Sequence, residues 1–317
     1  MKLFKNSYTS FYTSLSKKLY TIPLKNNFYV PQGVCSIGDS IVVSCYDRKK
    51  INNSVLFIFT KNEVKMVYLD GKMHCGGISY HKKTDSLFVT GYGIDDKSFI
   101  NKYDANYVMK SKNLSTIFVD KVFPVDLNCE LYSTAAKHSS PSYLTIYDDY
   151  LYVGNFVEQN YFDKYSSIIK KYKILSTGNI STKYEIINNP FSNTQGICLI
   201  DYKDVTYYVI SRSFGRNSNS IINICRLVDN KFKVLNSIVF PSMLEQINTY
   251  LGNLITIFES SAACFKHTAI SKNDGVYFIN FSKLLECNDN LNTFIKGSTL
   301  FSNSKNIDLK GKSGQKL

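Results

Sequence analysis

Tryptophan is absent from this chain of 317 residues, histidine occurs four times, and arginine is confined to Arg48, Arg212, Arg216 and Arg226. No two cysteines form a Cys-x-x-Cys pair, which with so few histidines argues against a zinc site. The sequence contains no phosphate-cradling P-loop, nucleophile elbow, His-Glu-x-x-His or EF-hand pattern. No metal and no other cofactor is therefore expected. The opening "MKLFKNSYTSFYTSLSKKLYTIPLKNN" lacks the apolar core of a signal peptide, and no run approaches a membrane span. That opening is free of acid until Asp39 and faintly resembles a transit peptide, but it has no arginine; the final "GQKL" is a poor peroxisomal tripeptide. The expected setting is reduced and cytoplasmic, without membrane contact, and the expected state is a monomer. Helical periodicity is nearly absent, which excludes a bundle.

What the chain does have is aromatic and basic. Tyr (24) and Phe (21) carry the aromatic load, and 44% hydrophobic residues suffice for a sizeable core. The formal charge of +13 comes almost entirely from lysine, as an AT-rich genome produces without selection for function. With no basic run and no recognition helix, a specific nucleic-acid partner is not expected, whereas attraction to small anionic ligands is. Eight cysteines are enough for a disulfide set, but Cys35, Cys45, Cys198 and Cys225 lie in apolar strand patterns, where free cysteine behaves as a small buried hydrophobe.

The strongest signal is an internal repeat of about fifty residues. A first strand begins at "PQGVCSI", "HCGGISY", "PSYLTIY", "TQGICLI" and "EQINTYL". Each is followed by a second strand ("SIVVSCY", "SLFVTGY", "YLYVGNF", "VTYYVISRSF", "NLITIFES") and a third ("SVLFIFT", "SFINKYD", "SIIKKYK", "SIINICR", "GVYFINF"). A fourth is readable as "EVKMVYL", "KYEIINN" and "FKVLNSIVF". This pattern predicts an all-β fold, a single β-propeller of five blades over residues 16–300. Residues 1–15 are expected to be a flexible leader and residues 301–317 a disordered tail. The last blade lacks its own fourth strand, and "SKKLYTIPL" (Ser16 to Leu24) is expected to supply it by pairing with "GVYFINF", closing the ring. Residues 110–140 read as a long insert on blades two and three, with a degenerate sixth blade as the alternative.

Five ordered blocks, "VPQG", "HCGG", "LYVGNF", "TQGI" with "SRSFGRNSNS", and "FPSMLEQI" with "IFESSA", resemble a bacterial five-bladed propeller family of AT-rich Gram-positive organisms, over about Tyr29 to Ala263. The resemblance implies a propeller and brings no settled activity with it. The chain departs from the family pattern at Gln246, where relatives have glycine, at Leu244, where they have serine, and at Asn155, often acidic in relatives. "CFKH" also replaces a basic-aromatic tail.

In a propeller, first strands line the central channel and ligands bind at one mouth. Gln32, His74, Ser142, Gln195 and Glu245 head the first strands; Tyr46, Tyr92, Asn155, Arg216 and Glu259 end the second strands beside them. Gln32, Gln195, Arg216, Asn155 and Tyr46 are thus candidate ligand-binding residues, with Arg216 as a planar donor for carboxylate or phosphate. His74, Glu245 and Glu259 are candidate acid–base residues. A purely structural role competes for each: Gln-Gly and His-x-Gly-Gly as backbone devices, Arg216 as ion-pair partner of either glutamate, Glu259 as a partnered strand end. The expected function is binding of a small anionic or carbohydrate-like molecule at the mouth. A hydrolase or lyase on the same ring and a protein-interaction scaffold are the alternatives.

Overall fold

The computed structural model describes residues 11–24, 28–92, 98–127, 140–265 and 267–287. The chain enters as β1 (Ser16–Thr21), whose partners come from the far end of the sequence. Blade one follows as β2 (Tyr29–Ile37), β3 (Ser40–Asp47), β4 (Val55–Phe59) and β5 (Val64–Leu69). Blade two begins with β6 (Ile78–His81), β7 (Ser86–Tyr92) and β8 (Ser98–Asp104). After a short helix at Ala105–Lys110 come β9 (Thr116–Ile117) and β10 (Lys121–Pro124). Blade three is β11 (Pro141–Tyr147), β12 (Tyr150–Asn155), β13 (Ile168–Ile174) and β14 (Ile180–Asn188). Blade four is β15 (Thr194–Tyr202), β16 (Val205–Arg212), β17 (Ser220–Val228) and β18 (Lys231–Phe240). Blade five is β19 (Leu244–Tyr250), β20 (Asn253–Phe258) and β21 (Gly275–Ile279), completed by β1 in the order β1-β21-β20-β19.

The ring is visible in the core. Five hydrophobic clusters each join two neighbouring blades, as where Val42 and Leu56 meet Ile78 and Leu87, or where Ile255 and Val276 meet Val34 and Val43. Strands between two blades are apolar on both faces: every residue of "VLFIF" in β4 is buried. β1 pairs antiparallel with β21, Ser16 opposite Ile279, as expected for ring closure. The packed chain extends further back than residue 16: Phe11 and Leu15 are buried in the blade-four/blade-five core, Phe11 against Phe240, Phe258 and Tyr277. Residues 1–10 and 288–317, including the expected tail, lie outside the described residues.

The described part of the long connection after blade two, up to residue 127, holds two small strands. Thr116–Ile117 adds in parallel to the outer edge of β5, and Lys121–Pro124 is the missing fourth strand of blade two, paired with β8. The five-bladed reading holds. The helix before these strands starts because the Asp104 carboxylate accepts from the Tyr107 amide at 2.7 Å, an N-cap that strand periodicity does not reveal.

Candidate functional site

The mouth is built by a repeated irregularity. In four blades the innermost strand carries one residue more than its partner at the same point. Gln32 falls between the pairs Pro31–Cys45 and Gly33–Ser44, Ser142 between Pro141–Asn155 and Tyr143–Gly154, and Gln195 between Thr194–Arg212 and Gly196–Ser211. In blade five the shift lies between Leu244 and Ile247, at Glu245 and Gln246. A bulge removes a residue from the ladder and re-aims its side chain. Three of these residues, Gln32, Ser142 and Gln195, face one cavity. Hydroxyls of the second strands take up backbone groups beside the bulges: Ser44 donates to the Cys75 carbonyl (2.9 Å), Ser211 to that of Glu245 (2.8 Å) and Thr256 to that of Gln246 (2.9 Å).

Just beyond the bulges, side-chain amides of β19 span the channel: Asn248 donates to the carbonyls of Val34 (3.2 Å) and Ile78 (3.4 Å), and Gln246 reaches furthest. Gln246 is fully buried; its Oε1 accepts from the amides of Val34 (3.0 Å) and Ile78 (2.9 Å), and its Nε2 donates to the carbonyls of Ile78 (2.9 Å) and Leu144 (2.8 Å). One glutamine from blade five thus ties together blades one, two and three. The glycines of the Gln-Gly pairs are explained by the same crowding. A Cβ on Gly33 would lie 2.8 Å from Gln246 Oε1, and one on Gly196 2.9 Å from Gln246 Cα. Neither glycine has a positive φ, so close approach, not a special backbone angle, demands them.

Above this plug lies a cavity of about 370 Å³. Gln32, Tyr46 and Glu259 form one wall, His74 and Lys72 come from the lead-in to blade two, and Ser142, Phe156 and Gln195 lie opposite. Lys50 and Asn52 project from the loop after β3. Asp47 holds that loop, accepting from the amides of Lys49 (2.9 Å) and Asn52 (2.7 Å). Burial raises the Asp47 pKa, but these hydrogen bonds outweigh it and the net shift is downward. The loop is joined to blade two through Ser54, whose hydroxyl donates to the Met73 carbonyl at 2.5 Å.

Glu259 reaches the cavity from the end of β20. Burial pushes its pKa up to about 7, opposed by a hydrogen bond from Gln32 Nε2 (2.7 Å) and by the charge of Arg48. Glu245 is buried behind it, and burial, reinforced by Glu259, keeps its carboxyl protonated well above the ordinary range. The His74 ring packs against Tyr46, with centroids 4.6 Å apart. Surrounding protein and then Lys50 push its pKa down toward about 4. His74 is also exposed to solvent, which moderates that push, but the direction leaves a neutral imidazole at pH 7.

The structure therefore gathers Gln32, Tyr46, His74, Gln195 and Glu259 at one cavity. It does not place Glu245, Asn155 or Arg216 on its wall. Asn155 is turned into blade three, where it donates to the Ser166 carbonyl (2.9 Å) and accepts from the Ile168 amide (2.8 Å). Arg216 lies exposed on the rim, bonded to Thr268 at 3.0 Å. The cations that do line the cavity, Lys50 and Lys72, sit in connections with no strand pattern and in a lysine-rich chain, so nothing singled them out in the sequence. The side chain of Tyr92 and the "GYGIDD" turn from position 93 onward lie outside what is described. Among the described residues no group of His, Cys, Asp and Glu could hold a metal. Nor is any helix among the described residues long and apolar enough to cross a membrane.

Fold and mouth together define a five-bladed β-propeller with a cavity at its channel mouth, where amide, carboxyl and ammonium groups interrupt a largely apolar surface. No family model matches the chain, and no curated protein matches it in sequence. Solved structures similar to it include an oxidoreductase of Thermus thermophilus described as a putative glucose dehydrogenase (8% identity, TM-score 0.47, covering 83% of this chain and 99% of that one). Others are the glutaminyl cyclase of Myxococcus xanthus (9%, 0.49, 83% and 94%) and a thermostable family-43 glycoside hydrolase (10%, 0.49, 83% and 91%). None of these bears on the chemistry of the mouth.

Proposed function

We propose that this propeller binds a small anionic or carbohydrate-like molecule in the cavity at its channel mouth. The observation that carries the reading is the composition of the cavity lining. Amide and carboxyl groups (Gln32, Gln195, Glu259) offer both donors and acceptors to hydroxyls, while Lys50 and Lys72 supply positive charge at the edge. The volume of about 370 Å³ lies at the small end of ligand pockets, room for a single sugar ring or an acid of that size. Tyr46 and Phe156 add apolar faces. The ordered sequence blocks support placing the chain in the bacterial propeller family they resemble.

Thermal shift followed by calorimetry with sugar acids, sugar phosphates and neutral sugars tests the proposal. At least one acidic compound should bind, with affinity reduced at least tenfold in Lys72→Ala and in Gln32→Ala. A panel without any shift, or binding indifferent to both substitutions, sinks it. A second reading, hydrolase or lyase, is favoured by one observation: a cavity carboxyl near pKa 7, Glu259, is half-protonated at neutral pH, as a general acid or base should be. Turnover abolished by Glu259→Gln, with ligand binding retained, would select it over simple binding.

A further inference from the structure

Two of the four arginines share one aromatic ring. Arg48, just after β3, places its guanidinium carbon 5.0 Å from the centroid of Phe265, and Arg216, in the loop after β16, places its own 5.7 Å from the same centroid. Three blades meet here: the loops after the second strands of blades one, four and five. Phe265 is buried among Val30, Met243 and Ala262, so it is a fixed pedestal rather than a mobile ring. The backbones that carry both cations are held in place. The Arg48 amide donates to the Phe28 carbonyl (2.9 Å); Arg216 bonds Thr268 through Nη1 (3.0 Å) and accepts the Ile270 amide at its carbonyl (3.1 Å). Gly215, at φ +74 with open space around it, provides the sharp turn that delivers Arg216.

Two like charges on one ring repel each other, and each cation–π contact at an exposed site returns only about 0.5–1 kcal/mol. Neither guanidinium forms an ion pair with a carboxylate of the described residues. Tyr46, which lines the cavity, packs against the same cluster as Phe265, so the pair borders the mouth. Two guanidinium forks beside one ring, neither paired with a carboxylate, offer planar donors of the kind that recognise tetrahedral oxyanions.

We propose that Arg48 and Arg216, mounted on Phe265, form an oxyanion site at the rim of the cavity that takes a phosphoryl or sulfuryl group. The site stands without the cavity reading. If both hold, the ligand is a polar body in the cavity carrying such a group over the rim.

The test is calorimetric titration of the full chain with inorganic phosphate and with sulfate, at constant ionic strength set by sodium chloride. One saturable site is expected, weakened at least tenfold by Arg48→Ala and by Arg216→Ala, and weakened also by the Arg→Lys variants, which keep the charge but lose the fork. Gln32→Ala and Lys72→Ala should leave it unchanged, so failure of the rim site and failure of the cavity reading give different patterns. Tighter phosphate than sulfate at pH 8 assigns a phosphoryl group, and the reverse a sulfuryl group. Both arginines are exposed, so variants should keep the parent unfolding midpoint; if Ala variants do not, the Lys variants decide. Absence of saturable binding for both anions overturns the proposal. So does binding that survives the double Ala variant, or that follows Lys72 instead of the arginines.

Discussion

Glu259 is the residue whose protonation the fold most usefully perturbs. An acid whose pKa is higher folded than unfolded holds its proton more tightly in the folded state, so stability falls as pH rises through that interval. For Glu259 the interval runs from the ordinary glutamate range to about 7. His74 has the opposite sign: its depressed pKa lowers stability as pH falls below the ordinary histidine range. The difference between variant and parent isolates the carboxyl. The melting temperature of Glu259→Gln minus that of the parent should rise steadily between pH 4.5 and 7.5; a constant gap would show that the carboxyl titrates as in water. Gln246 makes the second residue-scale prediction. Truncating it to alanine strands the amides of Val34 and Ile78 in the channel and should cost about 3–5 kcal/mol, read from urea unfolding midpoints at unchanged m-value. The sequence showed Gln246 only as a departure from a glycine pattern. That it replaces the glycine with a plug depends on where three other strands run, and single-chain periodicity does not encode that.

At the scale of elements, most of the blades were legible because their strands alternate or run apolar between turn residues. "SFINKYD" is strand β8 residue for residue, and "PSYLTIY" is β11. The fourth strand of blade two was hidden because "KVFP" is four residues, ends in proline and has three of its four residues exposed. The bulges were hidden for a different reason. An extra residue in one strand leaves no mark in that strand's own pattern and exists only relative to its partner. Yet the bulge is what brings Gln32, Ser142 and Gln195 to one mouth, so the site was legible as residue types at strand starts but not as geometry. β1 is the element with the largest predicted effect. Its deletion with the preceding residues exposes the edge of β21 and removes Phe11 and Leu15 from the core. The truncated chain should melt at least 10 °C lower and form higher oligomers in size-exclusion chromatography. An unchanged, monomeric profile would mean that blade five is stable without its fourth strand.

Across the whole molecule, part of the positive charge sits beside the mouth. The formal +13 is spread over the surface, but Arg48, Lys49, Lys50, Lys72 and Arg216 all lie on connections of the mouth face. An anionic ligand should therefore associate faster at low salt, its association rate dropping severalfold between about 20 and 200 mM sodium chloride while its dissociation rate changes little. A neutral sugar should show no such dependence, and stopped-flow measurement separates the two cases. The pairing of β1 with β21 has a consequence in time as well as in space. β1, made before every blade, must wait for β21 before it has a partner. Until then the nascent propeller is an open arc. The ring, and with it the mouth to which blade five contributes Glu259, comes into being only once the last blade has been made.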